Sequence, residues 1–131
     1  MLSLALLLAA SAPQTPRVVV TAMFEAFNRH DVHAMAQLYA PDARLTSSDF
    51  CAARGRDDVV RTYDALFATY PDIRDQIETM VVEGDRVAVR FLATSRSRGL
   101  AMSVQTTIRV RDGLIVEDHS IFDAGGAPCQ P

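Results

Sequence analysis

Three segments in the first half of the chain repeat apolar residues at the three- and four-residue spacing of an amphipathic helix. The pattern predicts helices over residues 15–28, 32–39 and 57–70, with Thr15 and Asp31 as N-caps. The residues that face inward are Val19, Val20, Met23, Phe24 and Phe27, then Met35, Leu38 and Tyr39, then Val59, Tyr63, Leu66, Phe67 and Tyr70.

The rest of the chain has the pattern of β-strands. A short strand is predicted over residues 43–49, and four longer runs rich in β-branched residues follow the third helix. These runs span residues 73–83, 86–96, 100–111 and 114–122, and hairpin-type dipeptides separate them. Successive hairpins form an antiparallel meander, and helices gathered before a meander cover one of its faces. The sequence therefore predicts an α+β domain.

Composition and charge limit the function. The chain has 131 residues, of which 49% are hydrophobic and 22% charged, as in a single ordinary globular domain. The net charge of −3 argues against a nucleic-acid-binding protein, which would carry a basic excess. Nucleotide-binding, metalloprotease and CxxC redox motifs do not occur in the sequence, and we predict no cofactor and no metal.

Residues 1–12 are apolar or small and carry no charged side chain. The run is shorter than the roughly 20 apolar residues that span a bilayer, but it matches the apolar region of a secretory signal. We therefore predict a signal peptide over residues 1–12, a secreted or periplasmic location and no stable membrane insertion. The alternative is an apolar leader on a cytoplasmic protein. Cys51 and Cys129 fit export, because an even pair in an exported domain favours a disulfide over two free thiols.

Four stretches of the sequence resemble a known family. They are FEAFNRHDVHAMAQLYAPDARL at residues 24–45, GRDDVVRTYDALF at 55–67, VVEGDRVAVRF at 81–91 and VRDGLIVEDHSIFD at 110–123. With the order of the elements, they resemble the SnoaL-like domains of the nuclear-transport-factor-2-like superfamily, which includes ketosteroid isomerases and polyketide cyclases.

The resemblance implies a SnoaL-like domain over residues 15–123 and an irregular tail over residues 124–131. It also implies three N-terminal helices packed on one face of a curved, mixed, mainly antiparallel sheet, which forms a cone with a pocket. Because members of the superfamily include enzymes and pure binding modules, this fold alone does not supply the function.

The catalytic residues of two relatives are not matched here. The ketosteroid isomerase set needs a tyrosine, a carboxylate base and a protonated acid, and the corresponding positions hold Met23, Ser47 and Thr106. The aspartates of epoxide hydrolases with this fold correspond to Arg90 and Ser120. Both of these specific activities are therefore disfavoured.

Strand alternation predicts which side chains line the pocket. The resulting pocket is mostly apolar, and its polar groups come from Tyr63 and the strands. The predicted lining residues are Met23, Phe27, Ser47, Phe67, Phe91, Met102, Thr106, Ser120 and Phe122, and Asp49 lies near the mouth. This favours a protein that binds a small, largely apolar molecule.

The alternative is a proton-transfer enzyme, either an isomerase, a cyclase or a dehydratase, with Asp118 as the base and Tyr63 as a hydrogen-bond donor. A carboxylate on an apolar concave face has a raised pKa, which suits proton transfer near neutral pH. The other interpretation of Asp118 is a hydrated residue at the rim of the pocket. A buried carboxylate within hydrogen-bonding reach of Tyr63 would favour the enzyme.

The histidines have simpler explanations than catalysis. His119 is predicted to face outward, away from the pocket. His30 and His33 have a spacing that could hold a metal, but Asp31 as a helix cap explains that segment without one.

The predicted partners are a small-molecule ligand and a second copy of the chain. The homodimer is predicted by the resemblance and by apolar residues on the outer face of the sheet, namely Ala88, Leu92, Ile115 and Ile121. In the implied topology the first and last strands are parallel neighbours, which brings Cys51 and Cys129 to one end of the sheet. The tail would then be held over the pocket mouth by their disulfide.

Overall fold

Three helices pack on one face of the sheet in the structure, a computed structural model that describes residues 14–131. They are α1 (Pro16–Asn28), α2 (Val32–Gln37) and α3 (Val59–Thr69), and a short 3-10 helix (Arg56–Asp58) leads into α3. The predicted signal peptide at residues 1–12 lies outside the described residues.

Both predicted N-caps are confirmed. The Thr15 hydroxyl oxygen accepts a hydrogen bond from the Val18 N–H at 3.3 Å, and the Asp31 carboxylate accepts one from the Ala34 N–H at 3.0 Å. Each cap satisfies a backbone donor that the first helical turn leaves without a partner. The apolar stripe of α1 is buried as its periodicity predicts.

The five strands form one mixed sheet in the order β1-β5-β4-β3-β2. Strand β1 runs parallel to β5, and the other neighbours are antiparallel, which confirms the predicted α+β fold and meander. The strands are β1 (Tyr39–Ser47), β2 (Arg74–Glu83), β3 (Arg86–Ser95), β4 (Leu100–Arg111) and β5 (Leu114–Ile121).

The boundary between α2 and β1 differs from the prediction. The helix ends at Gln37, and Tyr39 begins the strand although its spacing predicted an inward helical position. The reason is pairing with a distant strand: Tyr39 lies opposite Ile115, and the Ile115 N–H donates a hydrogen bond to the Leu38 carbonyl at 2.8 Å. Pro41 is tolerated in β1 because the ladder is irregular there.

A β-bulge corrects one residue of the predicted outer face. The register shifts where Arg109 and Val110 lie opposite Glu117 and Ile115, so β5 has one extra residue at this point. The prediction that Ile115 faces outward is wrong, because the bulge turns it into the core, where it is 0% exposed. Beyond the bulge the alternation follows the prediction.

The bulges also position the candidate site. Register shifts occur in β1, in β2, and in β5 where it pairs with β4. They bend the sheet around the helices, since a bulge increases local twist. Phe24 of α1 packs edge-to-face on Phe91 of β3, with ring centroids 5.0 Å apart. Between this packed region and the C-terminal tail, the helices and the sheet leave a cavity.

Candidate functional site

The cavity has a volume of about 460 Å³ and lies between α1, α3 and the concave face of the sheet. Most of its lining is aliphatic or aromatic. Tyr63 and Asp118 line it, and so do eight of the nine predicted lining residues, namely Met23, Phe27, Ser47, Phe91, Met102, Thr106, Ser120 and Phe122.

Phe67, the ninth predicted lining residue, lies elsewhere. Its ring stacks on the His30 imidazole with centroids 4.0 Å apart and packs edge-to-face on Phe27 at 5.2 Å. The His30 Nε2 atom lies 2.9 Å from the Ile73 carbonyl oxygen. These contacts hold His30 at a φ of 56° in the turn between α1 and α2, so both residues support the helices.

The polar centre of the cavity is the Asp118 carboxyl group. The Tyr39 hydroxyl donates a hydrogen bond to Oδ2 at 2.6 Å, and the Thr106 hydroxyl donates one to Oδ1 at 3.0 Å. Burial raises the pKa of Asp118, whereas the hydrogen bonds from Tyr39 and Thr106 lower it and offset part of this effect. Asp118 is thus a buried acid with both oxygens bonded, and only 8% of the residue is exposed.

Tyr39 connects Asp118 with Tyr63. The Tyr39 side chain is fully buried, and burial together with the nearby Asp118 charge raises its pKa. Tyr63 lies close enough that each tyrosine affects the pKa of the other, and burial raises the pKa of Tyr63 as well. Sequence reasoning missed Tyr39 as a site residue because it placed Tyr39 on α2, where the ring would fill the core.

A second carboxyl group, that of the half-buried Asp75, also lines the cavity and was missed. It lies opposite Ala93 in the ladder, on the concave face. Burial raises its pKa to about 8. The signal was present in the sequence, because Ile73, Asp75 and Ile77 alternate and the two isoleucines are apolar.

Asp49 and the tail form the mouth of the cavity. The Ser47 hydroxyl donates a hydrogen bond to the Asp49 carboxylate at 2.6 Å, and the Gln130 N–H donates one to the Asp49 carbonyl at 2.7 Å. A disulfide joins Cys51 to Cys129 with the Cα atoms 4.9 Å apart. The structure therefore places the tail at the mouth, where Ala127, Pro128 and Gln130 contribute to the lining.

Arg54 anchors the end of the tail. Its guanidinium donates hydrogen bonds to the Pro131 carbonyl oxygen at 2.9 Å and to the Thr62 hydroxyl at 3.0 Å. The same group lies over the Phe50 ring, 3.8 Å from its centroid. The Arg54 guanidinium thus stabilises the mouth of the cavity through these contacts.

Other polar residues lie outside the cavity. His119 is exposed on the outer face and bonds to the Thr46 hydroxyl. Arg90 is also on the outer face, in a loose ion pair with Glu78 at 3.6 Å. Within residues 14–131, the histidines, cysteines and acidic residues form no group of three that could hold a metal ion.

Together, the curved mixed sheet, the three helices on its concave side and an apolar pocket with a buried carboxyl group define a nuclear-transport-factor-2-like cone. A family model described as the SnoaL-like domain matches residues 20–118, and the chain belongs to this family. No protein of curated function matches the sequence.

Several solved structures share the fold. The chain is 28% identical to IdmH, a proposed polyketide cyclase from Streptomyces antibioticus, with a TM-score of 0.74 over 82% of this chain and 91% of that one. A loop-truncation variant of IdmH is 30% identical, with a TM-score of 0.75 over 83% of this chain and 93% of that one. A proposed ketosteroid isomerase from Kribbella flavida, 20% identical, has a TM-score of 0.72 over 91% of this chain and 85% of that one, which shows the fold alone.

Proposed function

We propose that the chain binds a small, largely apolar molecule in the cavity of the cone. The supporting observation is the cavity itself, whose volume of about 460 Å³ lies within the range of small-molecule sites. Its walls are mainly apolar, so a ligand gains free energy by leaving water, and a few hydroxyl and carboxyl groups orient it.

The charged groups that line the cavity indicate which class of ligand it disfavours. Four carboxyl groups line the cavity, and in the part of the chain that the structure describes no arginine or histidine joins them. Arg54 lies nearby but bonds to Thr62 and Pro131. A carboxylate or phosphate ligand would meet like charges in a medium of low dielectric constant. The four groups, from Asp49, Asp75, Asp118 and Asp123, therefore argue against an anionic ligand.

A substitution that fills the cavity should weaken binding of an uncharged fluorophore such as N-phenyl-1-naphthylamine. Met102 lines the cavity, whereas Ala68 on α3 is exposed and does not. We expect Met102→Trp to raise the Kd of the fluorophore about tenfold or more, which corresponds to about 1.4 kcal/mol. Fluorescence titration measures this change, with Ala68→Trp as the matched control. Equal affinity in the two variants would contradict a binding site in the cavity.

A second candidate function is proton transfer on the bound molecule. It is favoured by the buried Asp118 and Tyr39 and the half-buried Tyr63, which bring a carboxyl group and two hydroxyls together at an apolar pocket. The sequence predicted Asp118 as the base and Tyr63 as the donor, and both line the cavity. Tyr39 lies between them and bonds Asp118 directly, so in this candidate function it couples the two groups.

We also propose that the protein is exported. The support is the Cys51–Cys129 disulfide, since such bonds persist in oxidising compartments. No helix within residues 14–131 is long and apolar enough to cross a membrane.

The homodimer is proposed to form through the outer face of the sheet. Ile121 supports this proposal because it is 57% exposed on this face, which also carries Ala88 and His119. We expect light scattering to give the mass of two chains at micromolar concentration, and Ile121→Glu to give the mass of one. A wild-type protein that stays monomeric would rule out this dimer.

A further inference from the structure

Among the described residues, no contact within the fold requires a charged group at the position of Asp75. Its neighbours on the concave face are Ile73 in sequence and Ala93 across the ladder, and both are buried. The Asp75 Oδ1 atom is enclosed, and among the described residues it has no hydrogen-bond partner. A buried polar atom without a partner costs free energy of roughly 1–3 kcal/mol, so such an atom calls for an explanation.

The backbone of Asp75 is held without help from its carboxyl group. The Asp75 N–H donates a hydrogen bond to the Asn28 side-chain oxygen at 2.8 Å, and the Asn28 amide donates one to the Asp75 carbonyl at 2.9 Å. This pair of bonds fixes the start of β2 against the end of α1. The Asp75 carboxyl group takes no part in these bonds, and because Oδ1 is enclosed, Oδ2 is the oxygen that faces a molecule in the cavity.

The carboxyl groups of Asp118 and Asp75 differ in whether the protein already hydrogen-bonds their oxygens. Both oxygens of Asp118 accept hydrogen bonds from protein hydroxyls, at 2.6 Å from Tyr39 and 3.0 Å from Thr106. A proton-accepting group needs a free oxygen within reach of the ligand, and hydrogen bonds to a carboxylate make it a weaker base. Asp75 meets this requirement better than Asp118.

We propose that Asp75 is the proton-accepting residue of the cavity and that it acts on an uncharged, largely apolar molecule with an acidic C–H bond. The proposal rests on binding of apolar molecules in the cavity, as argued above. The Asp75 carboxylate takes the proton, and the electron pair of the C–H bond stays with the ligand. Tyr63 lines the same cavity, and its hydroxyl donates a hydrogen bond to the resulting anion. The nearby Asp75 charge is one of the causes that raise the pKa of Tyr63.

The pH dependence follows from the surroundings of Asp75. Tyr63 and Tyr70 of the α3 segment line the same cavity, His30 bonds to the carbonyl of the nearby Ile73, and β3 contributes Phe91 and Ala93. Burial accounts for the raised pKa of about 8. About a tenth of the Asp75 groups would therefore be ionised at pH 7, and a reaction that uses Asp75 as base should accelerate up to pH 8 and then level off.

The probe for this proposal is 5-nitrobenzisoxazole, a small uncharged carbon acid. When a base removes its ring proton, the C–H and N–O bonds break, a nitrile forms and a coloured cyanonitrophenolate is released, so no co-reactant is needed. We expect kcat/KM of the wild-type protein to rise about tenfold from pH 6 to pH 7 and to level off above pH 8. Asp75→Asn should lower kcat/KM at pH 8 by about 10²–10⁴-fold.

The controls separate the possible outcomes. Asp64→Asn removes an exposed carboxylate from α3 and should leave the rate unchanged. A wild-type rate no faster than free carboxylate in solution, or an Asp75→Asn variant as fast as wild type, would overturn the proposal. Loss of the rate in Asp118→Asn but not in Asp75→Asn would assign the base to Asp118. The titration with N-phenyl-1-naphthylamine tests the proposed binding function independently, because it requires no proton transfer.

Discussion

The double variant Cys51→Ser, Cys129→Ser should be less stable than the disulfide-bonded protein by about 3–5 kcal/mol. The two cysteines are 78 residues apart, so the bond closes a long loop and restricts the unfolded chain. Urea unfolding of the two proteins measures the difference in the free energy of unfolding. The same wild-type protein under a reducing agent provides a second measurement, free of any effect of serine.

Hydrogen bonds also hold the tail, and they determine what happens if the disulfide contributes little to stability. The Cys51 N–H donates a hydrogen bond to the Gln130 carbonyl at 2.8 Å, and Arg54 bonds to Pro131. The neutral bond adds roughly 1 kcal/mol and the bond from the Arg54 cation about 1.5–3 kcal/mol, and both add less where water competes. An unchanged free energy of unfolding in the double variant would show that these bonds, and not the disulfide, hold the tail.

The position of the tail indicates how the disulfide affects the rates of ligand binding and release. Because Ala127, Pro128 and Gln130 line the mouth, releasing the tail should speed both entry and exit of a bound fluorophore. Stopped-flow measurements on the same double variant would show this as larger association and dissociation rates.

The architecture could be predicted because each local signal agrees with the tertiary fold. The α1 stripe, the capping residues Thr15 and Asp31, and the turn at Asp112–Gly113 all depend on neighbours in sequence. Asp112 and Gly113 have φ values of 49° and 76°, as a two-residue hairpin turn of type I′ requires.

The errors arose where distant residues decide the conformation. Tyr39 has helical spacing to Met35, but its pairing with Ile115 draws it into β1. Ile115 itself lies next to a bulge, and a one-residue insertion turns a side chain to the opposite face. The hydrophobic pattern of a sequence does not indicate which strand a segment pairs with or where a bulge occurs.

The candidate site was only partly predictable for the same reason. Asp118 was identified from strand alternation, yet its hydrogen bond comes from Tyr39, 79 residues earlier in the chain. Asp75 was passed over because Arg74, Gln76 and Glu78 give that segment the polarity of an exposed strand. Its partial burial depends on α1 covering the start of β2, which the sequence pattern does not show.

Asp75 should also control how the stability of the protein depends on pH. Its pKa is about 8 in the folded chain, whereas an exposed aspartate has a pKa near 3.8. Between these two values the folded chain holds a proton that the unfolded chain has released. The stability contributed by the protonated group is therefore fully present below pH 4 and is lost as the pH rises to 8.

The Asp75→Asn variant tests this linkage, because the amide resembles the protonated acid and does not ionise. From pH 5 to pH 9 the wild-type protein should lose up to about 4 kcal/mol more stability than the variant, at 1.4 kcal/mol for each pH unit below the folded pKa. Asp118, whose pKa is also raised, contributes equally to both proteins and cancels in the comparison. Urea unfolding at the two pH values measures the effect, with Asp64→Asn as the control for a lost surface charge. Parallel pH dependence in wild type and Asp75→Asn would mean that Asp75 is ionised in the folded protein at pH 5, and that the proton-accepting role proposed for it lacks its physical basis.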